Sequence, residues 1–190
     1  MFSENGLSLR KAPRSNAEKI GSIPYGQRVT IHSTSKKSIE IEGLRGKWTR
    51  VSWQGKTGWV FDAYLADLPL PEKCSTLQNY AARHFGIPIG KRTWTRRAPP
   101  SGHGIEATLY RDGREYRRLS GYEFHGEELL LPRASLYAGY VIIRRCGAIK
   151  SDRFRLRGNK YETPTTKEYL NHGLVRPSKR GIVIHIGYWS

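Results

Sequence analysis

The 190 residues hold 33 Lys and Arg against 16 Asp and Glu, a formal charge of +17, with 37% hydrophobic residues, twenty glycines and ten prolines. That balance describes a turn-rich globular chain and excludes a disordered one. It also excludes a transmembrane helix, because runs such as GYVIIRRC and GIVIHIG fall far short of the roughly 20 apolar residues a span needs.

The opening, MFSENGLSLR, lacks the charged head and apolar stretch of a secretory signal. From there to residue 66 the chain reads as short strands and turns. LSLR alternates, and KIGSIPYGQRVTIHS alternates on either side of a Pro24-Tyr25-Gly26 turn. KWTRVSW places Trp48, Arg50 and Ser52 on one face and Thr49, Val51 and Trp53 on the other. QGKTGWVFDAYL adds a tight turn at Gln54-Gly55-Lys56, a further strand and a short turn before Tyr64. Five short strands in this space predict a small closed barrel. Gly26 and Gly55 suit the turns, and Gly58 lets the next strand bend. Two segments read as long loops, RKAPRSNAEK and HSTSKKSIEIEGLRG.

These residues carry a resemblance. Leu7, Leu9, Arg10, Pro13, Lys19-Ile20-Gly21, Gly26, Val29 and then GKWTRVSWQGKTGWVFDAYL are similar to the bacterial SH3 domain over residues 6 to 66, a third of the chain. The resemblance implies an SH3-like barrel that binds a cell-wall peptide or an envelope protein. It also implies a groove in which Trp48, Phe61 and Tyr64 take the tryptophan, proline and tyrosine positions; Tyr25, near the end of the first long loop, is a further candidate to complete the trough. The first long loop is basic, with Arg10, Lys11, Arg14 and Lys19 against Glu18, so an acidic or anionic ligand is expected rather than a basic proline-rich one. For Trp59 a place in the barrel wall and a place in a ligand site remain equally open.

DLPLPEK, with two prolines, reads as a stiff connector. Through residue 72 there are 11 Lys and Arg and 7 Asp and Glu (+4); from residue 73 onward there are 22 and 9 (+13). The basic excess thus belongs to the second half. There, STLQNYAARHFG predicts a helix capped by Ser75 and ended by Gly86. GIPIGKRTWTRRAPPSGHG reads as a basic, aromatic loop, and EATLYRDGREYRRL as a hairpin turning at Asp112-Gly113. PRASLYAGYVIIRRCG combines helical spacing, a Ser135 cap and a Gly147 stop with a β-branched cluster, and the helix is preferred. RFRLR and IVIHI alternate as strands. No internal repeat is apparent.

Chemistry-bearing residues are few. Cys74 and Cys146 form one disulfide or remain two buried thiols; a bridge would tie the first helix to the end of the second. Neither has a second ligand at a C-x-x-C or C-x-x-H spacing, and the histidines show no metal-ligand pattern, so no metal or cofactor is expected. KCSTLQNYAARHFGIPIG resembles the nucleophile helix of papain-like cell-wall endopeptidases, which implies Cys74 as nucleophile and His185 in VIHIGYW as base. The chain departs from that family: Lys73 stands where it has Asp, and no folded segment of that family precedes the cysteine. The second half as a whole also resembles uncharacterised domains of exported bacterial SH3 proteins. Arg92, Arg96 and Arg97 around Trp94, with Arg111, Arg114, Arg117 and Arg118 on the hairpin, form a candidate face for anions. Of these, Arg92, Arg96, Arg97 and Arg117 are the chosen site. Its partners would be an anionic polymer, a lipid headgroup or an acidic protein; no motif supports nucleic acid.

The expectation is an all-β SH3-like barrel (residues 1–68) followed by a small, basic α+β domain with an antiparallel sheet (73–190). It is read as a non-catalytic protein of the cell envelope, periplasmic or extracellular, its export signal lying outside this sequence. The alternatives are a cell-wall cysteine peptidase using Cys74 and His185, and a binder of anionic polymer or nucleic acid.

Overall fold

The structure, a computed structural model, describes residues 5–69, 71, 74, 76–97, 102–122, 124–146, 155–163 and 171–189. The chain divides into two compact units, Met1–Leu70 and Pro71–Ser190.

The first unit is a five-stranded antiparallel sheet of β1 (Leu7–Arg10), β2 (Lys19–Ile23), β3 (Thr30–Ile41), β4 (Leu44–Trp53) and β5 (Lys56–Phe61), in the order β2-β1-β5-β4-β3. A 3-10 turn, Asp62–Tyr64, follows. Leu7, Leu9, Ile23, Val51 and Val60 form its core, and Ile20, Val29, Trp53, Tyr64 and Leu65 pack on it. The alternation of apolar positions along β1, β4 and β5 directs these side chains inward. The β4–β5 turn places Gln54 and Gly55 at φ 47° and 74°, the doubly left-handed turn that matches strand twist.

One segment differs from its sequence reading. HSTSKKSIEIEGLRG is no long loop: most of it is β3 and the start of β4, joined by a two-residue turn at Glu42 and Gly43 (φ 52° and 75°). The ladder shifts register between Ile31 and Ser33 and again between Thr34 and Ser38. Those bulges break the period-2 pattern, which is why the segment does not read as a strand.

The second unit is a helix followed by a four-stranded meander, twice over. The first half is α1 (Leu77–His84), β6 (Gly90–Arg96), β7 (His103–Leu109), β8 (Glu115–Ser120) and β9 (Phe124–Leu131). The second is α2 (Leu136–Cys146), β10 (Arg155–Arg157), β11 (Lys160–Glu162), β12 (Asn171–Ser178) and β13 (Gly181–Trp189). The meanders join through β9 and β13 into one eight-stranded sheet, β10-β11-β12-β13-β9-β8-β7-β6. Eight consecutive residue pairs, from Ile182↔Leu131 to Trp189↔Phe124, make that seam without a shift.

Both helices lie on one face of the sheet. Gly139 lets α2 approach closely: a Cβ there would stand 2.6 Å from side-chain atoms of both Val175 and Ile182. Caps settle the helices. Ser135 Oγ accepts the Ala138 N–H at 3.1 Å, and the β-branched run Val141, Ile142 and Ile143 is fully buried. For α1 the cap is Thr76, whose hydroxyl accepts the Asn79 N–H at 3.0 Å, one residue past the expected Ser75. Ser75 and Gly147 lie outside the described residues. Glu127, on the helix face of β9, accepts the Leu77 N–H at 3.1 Å and so satisfies another free donor of the first turn.

Two more readings change. The stretch taken as a basic loop contains β6, an edge strand paired with β7 over seven residues from Gly90↔Leu109 to Arg96↔His103. The β7–β8 hairpin turns through three residues rather than two: Tyr110 N–H reaches Arg114 O at 3.1 Å, and Gly113 takes the left-handed position at φ 79°.

Candidate functional site

In the first unit the rings expected to wall an open trough are inside it. Trp48 is 6% exposed and Phe61 3%. They pack at 6.2 Å between centroids, and Phe61 meets Tyr64 edge-on at 5.9 Å. Phe61 lies directly on Gly46, where a Cβ would come within 2.8 Å of the ring. The bulged residues 35–37 of β3 stand opposite Trp48, and Ser35 Oγ accepts its backbone N–H at 3.2 Å. Only Tyr64 and Tyr25 keep partial exposure, and the Tyr64 hydroxyl donates to Glu42 Oε2 at 2.9 Å.

Trp59 is half-buried, as are Trp53, Tyr25 and Tyr64. It points away from the core that holds its neighbour Val60, and it stands in register with Arg10 on β1 and Arg50 on β4. An indole with a cation on each side across neighbouring strands can meet a planar or anionic group through its face and two guanidinium forks. Alternation puts Trp59 on the face opposite Val60 but does not set its exposure, since Phe61 shares that face and is buried.

The second unit concentrates charge on the sheet face opposite the helices. One rung runs Arg92, Ala107, Arg117, Glu128, His185 and Leu174 across β6, β7, β8, β9, β13 and β12. Glu128 is 2% exposed and gathers three partners: Arg96 Nη1 at 3.3 Å, Arg117 Nη1 at 3.1 Å and His185 Nδ1 at 3.3 Å. Glu115, 3% exposed, takes Arg117 Nη2 at 2.7 Å, Arg180 Nη1 at 2.5 Å and Arg92 Nη2 at 3.6 Å. Arg92 and Arg117 also lie over the Trp94 ring, 4.8 and 5.6 Å from its centroid. Four guanidinium groups therefore share two carboxylates, leaving two positive charges in surplus.

Burial alone would raise the Glu128 carboxyl. The hydrogen bond from His185 and the charge and hydrogen bond of Arg96 outweigh it and hold the group at about 2. Glu115 behaves likewise: burial pushes it up, and the bonds from Arg117 and Arg180 take it below the usual carboxylate range. Both carboxylates stay ionised and fix the arginines that surround them.

Beside them three histidines converge. The next rung carries Gly126 and Gly187 side by side, and the Phe124 ring folds over both: a Cβ on Gly187 would come within 2.7 Å of Phe124 and 3.1 Å of His185 Nε2. Phe124 stacks on His185 with an 8° interplanar angle and meets His103 at 5.6 Å. The His172 ring lies 6.1 Å from that of His185. Burial, then Arg96, lowers His103, and burial, then His185, lowers His172, so both favour the neutral form.

Of the arginines chosen from sequence, Arg92, Arg96 and Arg117 meet in this cluster, while Arg97 lies exposed just beyond β6. Arg114 instead pairs with Asp112 and covers Phe85, and Arg118 is on the helix face. Glu115, Glu128, Arg180 and His103 carried no local signal, because a carboxylate in a strand reads as a solvent-facing residue. Cys74 and Cys146 form a disulfide with Cα atoms 4.4 Å apart. His185 is oriented by Glu128, with Cys74 tied elsewhere, so a Cys74–His185 pair has no thiolate to draw on. No group of residues suited to hold a metal ion occurs among the described residues, and none of their helices is long and apolar enough to cross a membrane.

Residues 5–66 match the family model described as the bacterial SH3 domain. No curated protein and no solved structure matches the chain.

Proposed function

We propose, with a bacterial SH3 domain at the N-terminus as premise, that this is a non-catalytic binding protein of the bacterial cell envelope whose SH3 unit recognises a cell-wall peptide or an envelope protein. The observation that carries the proposal is the family match over residues 5–66, since bacterial SH3 domains are binding domains generally associated with the cell wall. The disulfide is compatible with an oxidising compartment outside the cytoplasm.

Contact with the ligand centres on Trp59, flanked by Arg10 and Arg50, rather than on the buried Trp48 and Phe61. Tyr64 and Tyr25 are the remaining partly exposed rings of the expected trough. The basic loop after β1, in which Lys11 pairs with Glu18, favours carboxylate-bearing wall peptides by charge. The bonded state of Cys74 argues against the peptidase alternative.

The test is co-sedimentation of the oxidised chain with purified peptidoglycan sacculi. Saturable binding is expected, weakened about tenfold by Trp59→Ala, as for an aromatic anchor at the centre of an interface. Binding that Trp59→Ala leaves unchanged would remove the proposed contact. Release of soluble wall fragments during incubation would overturn the non-catalytic reading.

A further inference from the structure

The edge strand β6 combines features that together define a docking surface. Among the described residues it is hydrogen-bonded only on its β7 side, so one row of its backbone N–H and C=O groups has no strand partner. Its seven-residue ladder with β7 runs without a register shift and without proline, unlike the bulged edge strand β3 of the first unit. Edges are normally blunted by bulges, prolines, short length or charged side chains, and of these β6 uses only charge.

What β6 does carry is charge of one sign. Arg92, Trp94 and Arg96 share the face that holds the carboxylate cluster, and Lys91 lies on the other with Thr93 and Thr95. The side chains of Arg92 and Arg96 remain 52% and 37% exposed although each touches a buried carboxylate. A guanidinium has five N–H donors, so a single carboxylate contact leaves others for a second acceptor. The buried Glu115 and Glu128 show the ligand chemistry these arginines already accept.

The same charges select the occupant. A second copy of β6 pairing antiparallel about Trp94 would set Arg92 directly against Arg96 of its partner copy, and like charges opposite one another destabilise a ladder. A neutral strand would gain nothing from the arginines. We infer that β6 is a docking edge for an extended acidic peptide segment of a partner protein, which adds to the sheet as a ninth strand. Arg92 and Arg96 are four residues apart, roughly 13 Å along the strand. The complementary segment therefore has acidic residues at positions i and i+4, with an apolar residue between them opposite Trp94. This inference stands apart from the ligand of the SH3 unit, and neither depends on the other.

The experiment uses the full oxidised chain and a fluorescein-labelled peptide, Thr-Glu-Thr-Val-Thr-Glu-Thr, read by fluorescence anisotropy. Saturable binding is expected, lost when both glutamates are replaced by lysine. Two further peptides carry N-methyl groups on alternate backbone nitrogens, one in each register, with charge unchanged. The register that blocks the bonds to β6 is expected to bind at least tenfold more weakly, and the other like the parent. Arg92→Gln, whose contact to Glu115 is the longest of the three, is expected to weaken the parent three- to tenfold with an unchanged melting temperature. If that variant unfolds, the N-methyl pair on the wild-type chain decides alone. Absence of parent binding, or equal binding of both N-methylated peptides, would overturn strand addition; the latter would leave charge attraction only.

Discussion

Replacing Glu128 by Gln removes one negative charge from the middle of the eight-stranded sheet while keeping the shape of the side chain. Arg117, only 13% exposed, would keep Glu115, but Arg96 and His185 would lose their anionic partner. Breaking a buried pair in this way costs about 3–5 kcal/mol. The acid limb gives a second figure: a carboxyl held at about 2, against an ordinary 4.5, contributes about 3 kcal/mol of folded-state stability. Because the folded value lies below the unfolded one, that contribution is complete above pH 5 and fades as pH falls towards 2. The assay is thermal unfolding of wild type and Glu128→Gln, followed by circular dichroism at several pH values, reading the transition of the second unit. At pH 7 the variant is expected to be about 3 kcal/mol less stable, a lowering of roughly 10 °C for a unit of this size. Near pH 2 the two proteins converge. A deficit under 1 kcal/mol at neutral pH, or one that stays constant from pH 6 to pH 2, would refute the view that an ionised Glu128 organises this face.

Reducing the Cys74–Cys146 bond, which closes a separation of 72 residues, is expected to cost about 4 kcal/mol by the loop-entropy argument. A thiol assay on the denatured, unreduced protein is expected to read zero, and a melting curve with and without reductant measures the loss. Trp48→Ala is expected to destabilise the first unit by about 3–5 kcal/mol, as for a buried tryptophan, whereas Trp59→Ala costs under about 1.5 kcal/mol; chemical denaturation of both variants separates an interior ring from a surface one. Gly126→Ala places a methyl 2.8 Å from the Ile186 carbonyl and 3.1 Å from Phe124, so a loss of about 1–3 kcal/mol is expected, with shifted ring resonances of Phe124 and His185 in the NMR spectrum.

Local patterns made the first unit readable. Its turns need left-handed residues, Gln54-Gly55 supplies one such pair, and apolar side chains alternate between them. The same alternation correctly put Trp48 and Arg50 on one face of β4, but Trp48 is buried against Phe61 of β5, and no local pattern encodes that packing. In the second unit the helix at 136–146 was legible from its Ser135 cap. KRTWTRR failed to read as a strand because it has one apolar side chain; its arginines find their partners on β8 and β9, a relation visible only after the sheet is assembled. The charged cluster is hidden for the same reason. Glu115, Glu128, Arg180 and His185 are scattered over seventy residues of sequence and meet only through cross-strand register.

The seam between β9 and β13 has a bearing on how the second unit is made. Residues 181–189 leave the ribosome after every other strand of this unit, yet they occupy the fourth place of eight in the sheet. Until they arrive, nascent β9 presents a naked flank of Leu129, Leu130 and Leu131, and the two half-sheets have nothing to join them. Assembly must wait for the most distant pairing, which makes it slow and leaves an interval in which a holding chaperone would matter. The sulfur link between residues 74 and 146 needs none of that late segment, so it can close beforehand and shorten the search by which the last strand finds its slot.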